Sequence, residues 1–262
     1  MIGRVLIVAG SDSGGGAGIQ ADLKTVMALG GYGTTAVTAL TAQNTLGVQG
    51  VMPVPPDFVR LQMRSVLDDI GADAVKTGML GTPELVAAVA DVLRGAGLPV
   101  VVDPVMVAKG GARLLNDDAV AAVLRALVPL ATVLTPNVPE AEALTGRAIA
   151  DHAAALDAAR ALLALGARAV LLKGGHMPGP VVRDILATPD GIEVIESARI
   201  DSCHTHGTGC TLASAVATGL SQGMALRDAV RRAGAYVHAA ILAAPGLGAG
   251  HGPLQHNAFN VI

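Results

Sequence analysis

Aromatic residues and cysteines are scarce in this sequence of 262 residues, which has no tryptophan, two phenylalanines, two tyrosines and two cysteines. Stacking on aromatic rings cannot be its main means of recognition, and two cysteines cannot form a disulfide scaffold. The net charge is −3 and the lysines and arginines are scattered, so no basic surface would attract a phosphate backbone. We expect no nucleic-acid partner.

We expect no signal for export or membrane insertion. Residues 1–10 hold only a short apolar run that leads directly into glycines, which is typical of a first strand rather than a signal peptide. The uncharged stretch 233–250 contains His238, Pro245 and four glycines, and it favours a buried C-terminal helix. We expect one soluble, cytoplasmic domain over residues 1–262, with no membrane partner.

What the chain does have is an alternation of short β-branched runs with longer Ala/Leu-rich segments of helical period. This alternation predicts an α/β fold with three layers, a mostly parallel sheet between helices. The predicted strands are 5–9, 34–40, 74–78, 99–103, 131–137 and 168–175. Residues 192–200 alternate without a following helix and predict an antiparallel or edge strand. Thr82 with Pro83, and Asn116 with two aspartates, are typical helix starts.

Polar or glycine residues follow six of these predicted strand ends. They are Gly10, Gln43, Gly78, Asp103, Asn137 and Lys173. In open α/β sheets the ligand crevice lies outside the carboxyl ends of the strands, so these residues should line one edge. Turn residues are polar for other reasons too, which leaves each one alone a weak indicator.

The first loop, GSDSGGGAG at 10–18, has more glycines than a strand-to-helix turn needs. It has neither a Walker Gly-Lys-Ser/Thr end nor the dinucleotide spacing with a distant acid. Close approach of a small ligand to the backbone, or a flexible surface turn, remain as interpretations. Gln43 could pair with an amino-substituted heterocycle, and Met79 could supply an apolar wall.

Residues 103–111, DPVMVAKGG, combine an acid with a lysine and two glycines, so they could act as a flap over a ligand or be a solvated loop. Asp103, together with Glu140, could serve Mg²⁺ beside substrate phosphates. Lys173 offers a point charge suited to phosphate.

The segment CHTHGTGC at 203–210 contains both cysteines and two histidines. Its spacing lacks the paired pattern of structural zinc sites, although a metal site stays an alternative. An apolar helix follows, so residues 207–210 should form its first turn, where free N–H groups and the helix dipole attract anions. The same field should lower the pKa of Cys210 and favour a thiolate able to accept a proton from an alcohol. The alternative for Cys210 is a small buried residue without chemistry.

Seven segments together resemble the hydroxymethylpyrimidine and phosphomethylpyrimidine kinases of thiamine biosynthesis. They are GSDSGGGAGIQADLKT, VTALTAQNT, KTGML, DPVMVAKGG, LTPNVPEAE, LLKGGH and THGTGCTLASA. The resemblance implies a ribokinase-like fold, a homodimer, and successive ATP-dependent phosphorylation of 4-amino-5-hydroxymethyl-2-methylpyrimidine and of its monophosphate, with Mg²⁺.

The resemblance also implies roles for individual residues. The substrate-binding residues would be Gly10, Asp22, Thr41, Gln43, Met79 and Val105. The catalytic residues would be Cys210, Gly207, Thr208, Gly209 and Lys173. Asn137, Lys173 and Thr208 would bind the nucleotide, and Asp103 and Glu140 the metal.

Two alternatives stay open. Some relatives are pyridoxal kinases with a second cysteine in the flap, where this chain has Ala108; this weakens a vitamin B6 substrate without excluding it. A non-catalytic pyrimidine sensor on the same fold is the other alternative.

Overall fold

The computed structural model, which describes residues 2–106 and 117–258, is built around an eight-stranded sheet. The strands are β1 (Arg4–Ala9), β2 (Tyr32–Val37), β3 (Ala39–Asn44), β4 (Gly47–Pro53), β5 (Ala74–Thr77), β6 (Val100–Val102), β7 (Val133–Leu134), β8 (Val170–Leu172), β9 (Val181–Thr188) and β10 (Gly191–Ala198). The order in the large sheet is β10-β9-β8-β7-β6-β5-β1-β2, and β3 and β4 form a separate hairpin. The six strands from β8 to β2 in this order are parallel, whereas β9 pairs antiparallel with β8 and β10 with β9.

The helices cover both faces of the sheet. They are α1 (Gly18–Ala28), α2 (Pro56–Asp69), α3 (Pro83–Ala96), α4 (Asp117–Ala126), α5 (Val138–Thr145), α6 (His152–Ala164), α7 (Thr208–Ser221) and α8 (Leu226–Leu242). Helices α2 to α6 share one apolar core with Leu6 and Val8 of β1, and α1, α7 and α8 share the other with Val5 and Ile7. Because side chains alternate along a strand, a central strand between two helix layers must be apolar throughout. The three-layer α/β prediction is confirmed.

The segment 34–40 does not form the single strand that its composition predicts. It divides at Thr38, whose hydroxyl donates a 2.6 Å hydrogen bond to the carbonyl of Met79 and whose N–H bonds to Ala9. The chain then leaves the sheet and forms β3. No glycine or proline marks this break, so only tertiary contacts determine it. Strand β9 was likewise not predicted, although the antiparallel strand near 192–200 is confirmed as β10.

Two predicted helix features can be compared directly. Thr82 caps α3, since its side chain accepts a hydrogen bond from the N–H of Leu85. The predicted cap Asn116 lies outside the described residues. The buried C-terminal helix exists as α8, but it begins earlier than predicted and ends at Leu242. In the described part of the chain, no helix has the length and apolar character needed to cross a membrane.

Candidate active site

A cavity of about 1830 Å³ opens at the carboxyl edge of the parallel strands. All six residues predicted from strand ends line it: Gly10, Gln43, Gly78, Asp103, Asn137 and Lys173. Five of them follow strands of the large sheet. Gln43 instead belongs to β3 of the hairpin, so the prediction that it follows a strand of the large sheet is wrong. The predicted convergence of distant segments on one cavity is confirmed.

The first turn of α7 forms one wall of this cavity. Gly207 precedes the helix with φ of 82° and no side chain caps the helix, so the first-turn N–H groups have no side-chain acceptor from the cap position. A Cβ on Gly209 would lie 3.2 Å from Lys173 Nζ and 4.0 Å from Asp103 Oδ2. The predicted anion site therefore faces the predicted phosphate-binding lysine.

Gly207 allows a close contact between two loops. A Cβ there would lie 1.8 Å from the carbonyl oxygen of Gly16, so the 10–18 loop and the 205–210 loop touch backbone to backbone. The two glycine-rich segments thus form one joined wall rather than two separate loops.

The alternative of a metal site at residues 203–210 has no support. Within residues 2–106 and 117–258, no three His, Cys, Asp or Glu side chains are arranged to hold a metal ion. Cys203 is exposed and its sulfur lies 3.7 Å from His204 Nε2, whereas Cys210 lines the cavity.

Lys173 is the centre of a charged cluster with two buried carboxylates. Its Nζ lies 2.9 Å from Asp103 Oδ1 and 3.8 Å from Glu140 Oε2. Burial alone would lower the pKa of Lys173, but Asp103 and Glu140 outweigh it and raise that pKa above the usual value, so the ammonium stays charged. Such a cation can hold an anionic phosphoryl group without protonation changes.

Glu140 and Asn137 are both engaged at the start of α5. Asn137 Oδ1 accepts from the N–H of Glu140, and Glu140 Oε2 accepts from the N–H of Asn137, a capping box. Burial raises the pKa of Glu140 to about 7, although Lys173 opposes this rise. Both side chains line the cavity, but each also has this structural role.

The donor set fits a magnesium ion held together with phosphates. Asp103 is 2% exposed, and its Oδ2 is buried without a hydrogen-bond partner. A buried carboxylate oxygen without a partner is costly, and Mg²⁺ in phosphoryl-transfer sites commonly uses one or two carboxylates alongside phosphate oxygens and water. Asp103, with Glu140 beside it, meets that requirement.

The protonation state predicted for Cys210 is wrong for this structure. Burial raises the pKa of its thiol to about 11, and Asp22 and Asp103 add to the rise, while Lys76 and the N–H of Gly18 oppose it. The helix dipole can be read from sequence, but the burial and the neighbouring carboxylates come from tertiary structure. Cys210 is therefore a thiol at neutral pH, not a thiolate.

Asp22 was predicted to contact the substrate, but the structure places it behind the cavity wall. It is 0% exposed, and both of its carboxylate oxygens lie 2.9 Å from Lys76 Nζ. Ser214 of α7 donates a 2.7 Å hydrogen bond to the same carboxylate. Its direct partner is Lys76, which does line the cavity.

Sequence reasoning missed Lys76. It is fully buried; burial would lower its pKa, but Asp22 and other anions raise it above the usual value. The signal was available: a lysine in the middle of the buried strand β5 requires a partner, because an isolated buried charge is very costly.

Sequence reasoning also missed Asp12 and His206, which join the two glycine-rich loops. His206 Nε2 lies 2.8 Å from Asp12 Oδ2, and Asp12 also accepts hydrogen bonds from the N–H groups of Gly14, Gly16 and Ala17. His206 Nε2 is in addition 3.3 Å from Gln43 Nε2. The sequence shows that Asp12 is followed by glycines, but it does not show that its partner is His206, 194 residues away.

The remaining predicted pocket residues line the cavity as well. Thr41, Met79 and Val105 are among its walls, and a Cβ on Gly10 would lie 2.7 Å from Met79 Cε. The methionine therefore packs over the glycine. The predicted flap at 103–111 is described only as far as Met106; Lys109 and Ala108 lie outside the described residues.

Comparison with known proteins is consistent with this geometry. The phosphomethylpyrimidine kinase family model matches residues 12–255. This chain belongs to that family. It is therefore a kinase, a phosphotransferase with a ribokinase-like fold.

Relatives of this kinase include the hydroxymethylpyrimidine/phosphomethylpyrimidine kinase of Streptomyces coelicolor, 54% identical over 96% of this chain and 93% of the relative. The thiamine biosynthesis bifunctional protein ThiED of Geobacter sulfurreducens is 56% identical over 97% of this chain; the match spans 52% of that longer protein. Among solved structures, the pyridoxal kinase from Staphylococcus aureus in complex with ADP has a TM-score of 0.93 at 36% identity, covering 100% of this chain and 96% of the other.

Proposed function

We propose that this kinase transfers the γ-phosphoryl group of ATP to the hydroxymethyl group of 4-amino-5-hydroxymethyl-2-methylpyrimidine, and then to the resulting monophosphate, in thiamine biosynthesis. One observation carries the proposal: the first turn of α7 faces Lys173 and Asp103 across a cavity that also contains Gln43. The family description and the names of the most similar relatives support this substrate.

The ring of the pyrimidine lies between Gln43 and an apolar wall. Gln43 provides a donor and an acceptor for the ring nitrogen and the amino group. Met79 and Val105 supply the apolar contact, with Thr41 and Gly10 at the edge. The hydroxymethyl oxygen then points towards the first turn of α7.

In the transfer step, the hydroxymethyl oxygen forms a bond to the γ-phosphorus while the bond from that phosphorus to the β,γ-bridging oxygen breaks, leaving ADP. The amides of residues 207–209 and the ammonium of Lys173 stabilise the charge on the migrating group. Asn137 and Thr208 contact the nucleotide phosphates. Asp103 and Glu140 would hold Mg²⁺, which would reduce the negative charge on the phosphate oxygens.

The hydroxyl proton goes to Cys210, but only its ionised fraction can accept it. With a pKa of about 11, about one Cys210 in ten thousand is ionised at pH 7. A general base contributes roughly 10²–10⁴-fold, so this low population offsets most of the gain at neutral pH. Positioning and charge stabilisation therefore supply the larger share of the catalysis.

Pyridoxal is the rival substrate, favoured by the high structural similarity to a pyridoxal kinase. Measuring kcat/KM for both alcohols with ATP separates the two proposals. We expect the pyrimidine alcohol to be preferred by about ten-fold or more. Equal or reversed preference would favour vitamin B6 salvage, and binding of the pyrimidine without any transfer would favour a sensor.

We further propose that residues 1–262 form one kinase domain that acts in the cytoplasm as a homodimer. The β3–β4 hairpin supports a dimer, because its apolar side chains Leu46, Val51 and Met52 are 70%, 50% and 67% exposed. An exposed apolar patch of this kind is typical of a protein interface. Light scattering on the purified protein should give twice the mass of 26.1 kDa. A monomer at micromolar concentration would contradict this.

A further inference from the structure

The side-chain amide of Gln43 lies between two polar partners. Its Nε2 is placed 3.3 Å from His206 Nε2, and its Oε1 is placed 3.3 Å from Thr41 Oγ1. An amide side chain has almost the same shape when its oxygen and nitrogen exchange places. Their partners therefore decide which atom faces which neighbour.

The proton of His206 is assigned by Asp12. The Asp12 carboxylate is 2% exposed and accepts three backbone N–H groups besides His206 Nε2. Burial tends to raise the pKa of Asp12, but the hydrogen bonds from His206, Ala17 and Gly14 outweigh it and hold that pKa below its usual value. An ionised carboxylate only accepts hydrogen bonds, so His206 Nε2 carries a hydrogen whether the ring is neutral or charged.

This hydrogen decides the orientation of Gln43. An N–H group cannot accept a hydrogen bond from a second N–H group, so Gln43 Oε1 rather than Nε2 faces His206. The Thr41 hydroxyl agrees, because it donates its hydrogen to the carbonyl of Ser11 at 2.8 Å and keeps lone pairs for Gln43 Nε2. With the amide turned by half a rotation, Gln43 Oε1 takes the weaker share of the hydrogen that His206 Nε2 donates to Asp12, and Gln43 Nε2 donates to Thr41. The opposite orientation would place two N–H groups against each other.

We propose that the Asp12–His206 pair fixes the amide of Gln43 and thereby selects and orients an aminopyrimidine, a role that rests on the proposed function. The free edge of Gln43 then offers an acceptor on the His206 side and a donor on the Thr41 side. A 4-aminopyrimidine presents the matching pair on adjacent atoms, an amino N–H and a ring nitrogen. Asp12 and His206 are positioning residues, since they act through Gln43.

The orientation has a consequence for the reacting group. The amino group lies on the His206 side, and the hydroxymethyl group sits on the next ring carbon, further from the ring nitrogen. It therefore points towards residues 207–210, where the phosphoryl group is held. The reversed amide would turn the ring over and direct the alcohol away from that turn.

The same arrangement discriminates between substrate classes. In pyridoxal, a methyl-bearing carbon separates the ring nitrogen from the carbon that bears the phenolic hydroxyl. The fixed edge of Gln43 can pair with only one of these two groups. Pyridoxal would therefore leave one polar atom of Gln43 without a hydrogen-bond partner, and this lowers its affinity for the site.

The test compares kcat/KM for the 4-amino alcohol with that for its 4-oxo analogue, which presents the opposite donor and acceptor order. We expect His206→Leu to free the amide and lower this ratio by about ten-fold or more. His206→Gln keeps an N–H donor, so its ratio should stay close to that of the wild type. His152→Leu, at the start of α6 and away from the cavity, is the matched control and should leave the ratio unchanged.

Equal losses on both alcohols in His206→Leu would overturn the proposal, because a purely structural role changes both rates alike. Thermal unfolding and ADP binding check that the variant folds. On the wild type, ¹⁵N NMR of the histidines should show a protonated Nε2 at His206, assigned by its loss in His206→Gln. A bare Nε2 would overturn the proposal without any turnover assay, so this result is separate from failure of the proposed kinase activity.

Discussion

At the scale of single residues, burial has more influence than local helix electrostatics. Cys210 stands in the first turn of α7, where the dipole favours a thiolate, yet burial and nearby carboxylates raise the pKa of its thiol to about 11. Lys76 is fully buried and Lys173 is only 13% exposed, yet both stay charged, because each has a carboxylate at 2.9 Å.

The first prediction concerns Cys210→Ala. The ionised fraction of a base with a raised pKa increases as the pH approaches that pKa. The loss in kcat should therefore be less than about ten-fold at pH 7 and should increase up to about pH 10. The ratio of wild-type to variant kcat over this pH range is the measurement, with the exposed Cys203→Ala as the control. A large loss that is the same at every pH would mean that Cys210 is already ionised.

The second prediction concerns the ion pair of Asp22 and Lys76. Lys76→Met leaves an uncompensated buried carboxylate, so we expect the free energy of unfolding to fall by about 3–5 kcal/mol. Adding Asp22→Asn should recover part of this loss, because the unpaired charge is then removed.

Urea unfolding of both variants measures the effect. Asp57→Asn breaks an exposed pair with Arg60 and should cost less than about 1 kcal/mol. If the buried and exposed changes cost the same, Asp22 and Lys76 are not held as a buried ion pair.

At the scale of elements, contacts between loops create the site. The 10–18 and 205–210 loops belong to different ends of the chain, and they meet through Asp12 with His206 and Gly16 with Gly207. Each loop alone shows an excess of glycine in the sequence, which indicates close backbone approach. That the approaching group is the other loop, as well as a ligand, could not be read from either segment.

The third prediction compares two glycines with nearly the same backbone angle. Gly207 has φ of +82° and a Cβ would clash with Gly16, whereas Gly223 has φ of +80° and no atom within 4 Å. Gly223→Ala should cost about 1–2 kcal/mol from backbone strain alone. Gly207→Ala should cost more and should also reduce kcat, since the loops must separate. Equal costs with unchanged kcat would show that the loops are not in tight contact.

At the scale of the whole molecule, the sequence predicts what is local and misses what is distant. The apolar strand β1, the Thr82 cap and the glycine-rich start of α7 follow from neighbouring residues and are confirmed. The Asp22–Lys76 and Asp12–His206 pairs are separated by 54 and 194 residues, so no periodicity reveals them. The break at Thr38 was missed for the same reason, because it depends on Met79.

We expect the first turn of α7 and the strand-edge residues together to hold a phosphoryl group in transit to an alcohol. The most direct measurement is a single-turnover reaction of the wild-type protein with γ-³²P-labelled ATP and 4-amino-5-hydroxymethyl-2-methylpyrimidine. Label should appear first in the pyrimidine monophosphate and then in the diphosphate. Label found only in inorganic phosphate, or retained entirely in ATP, would contradict it.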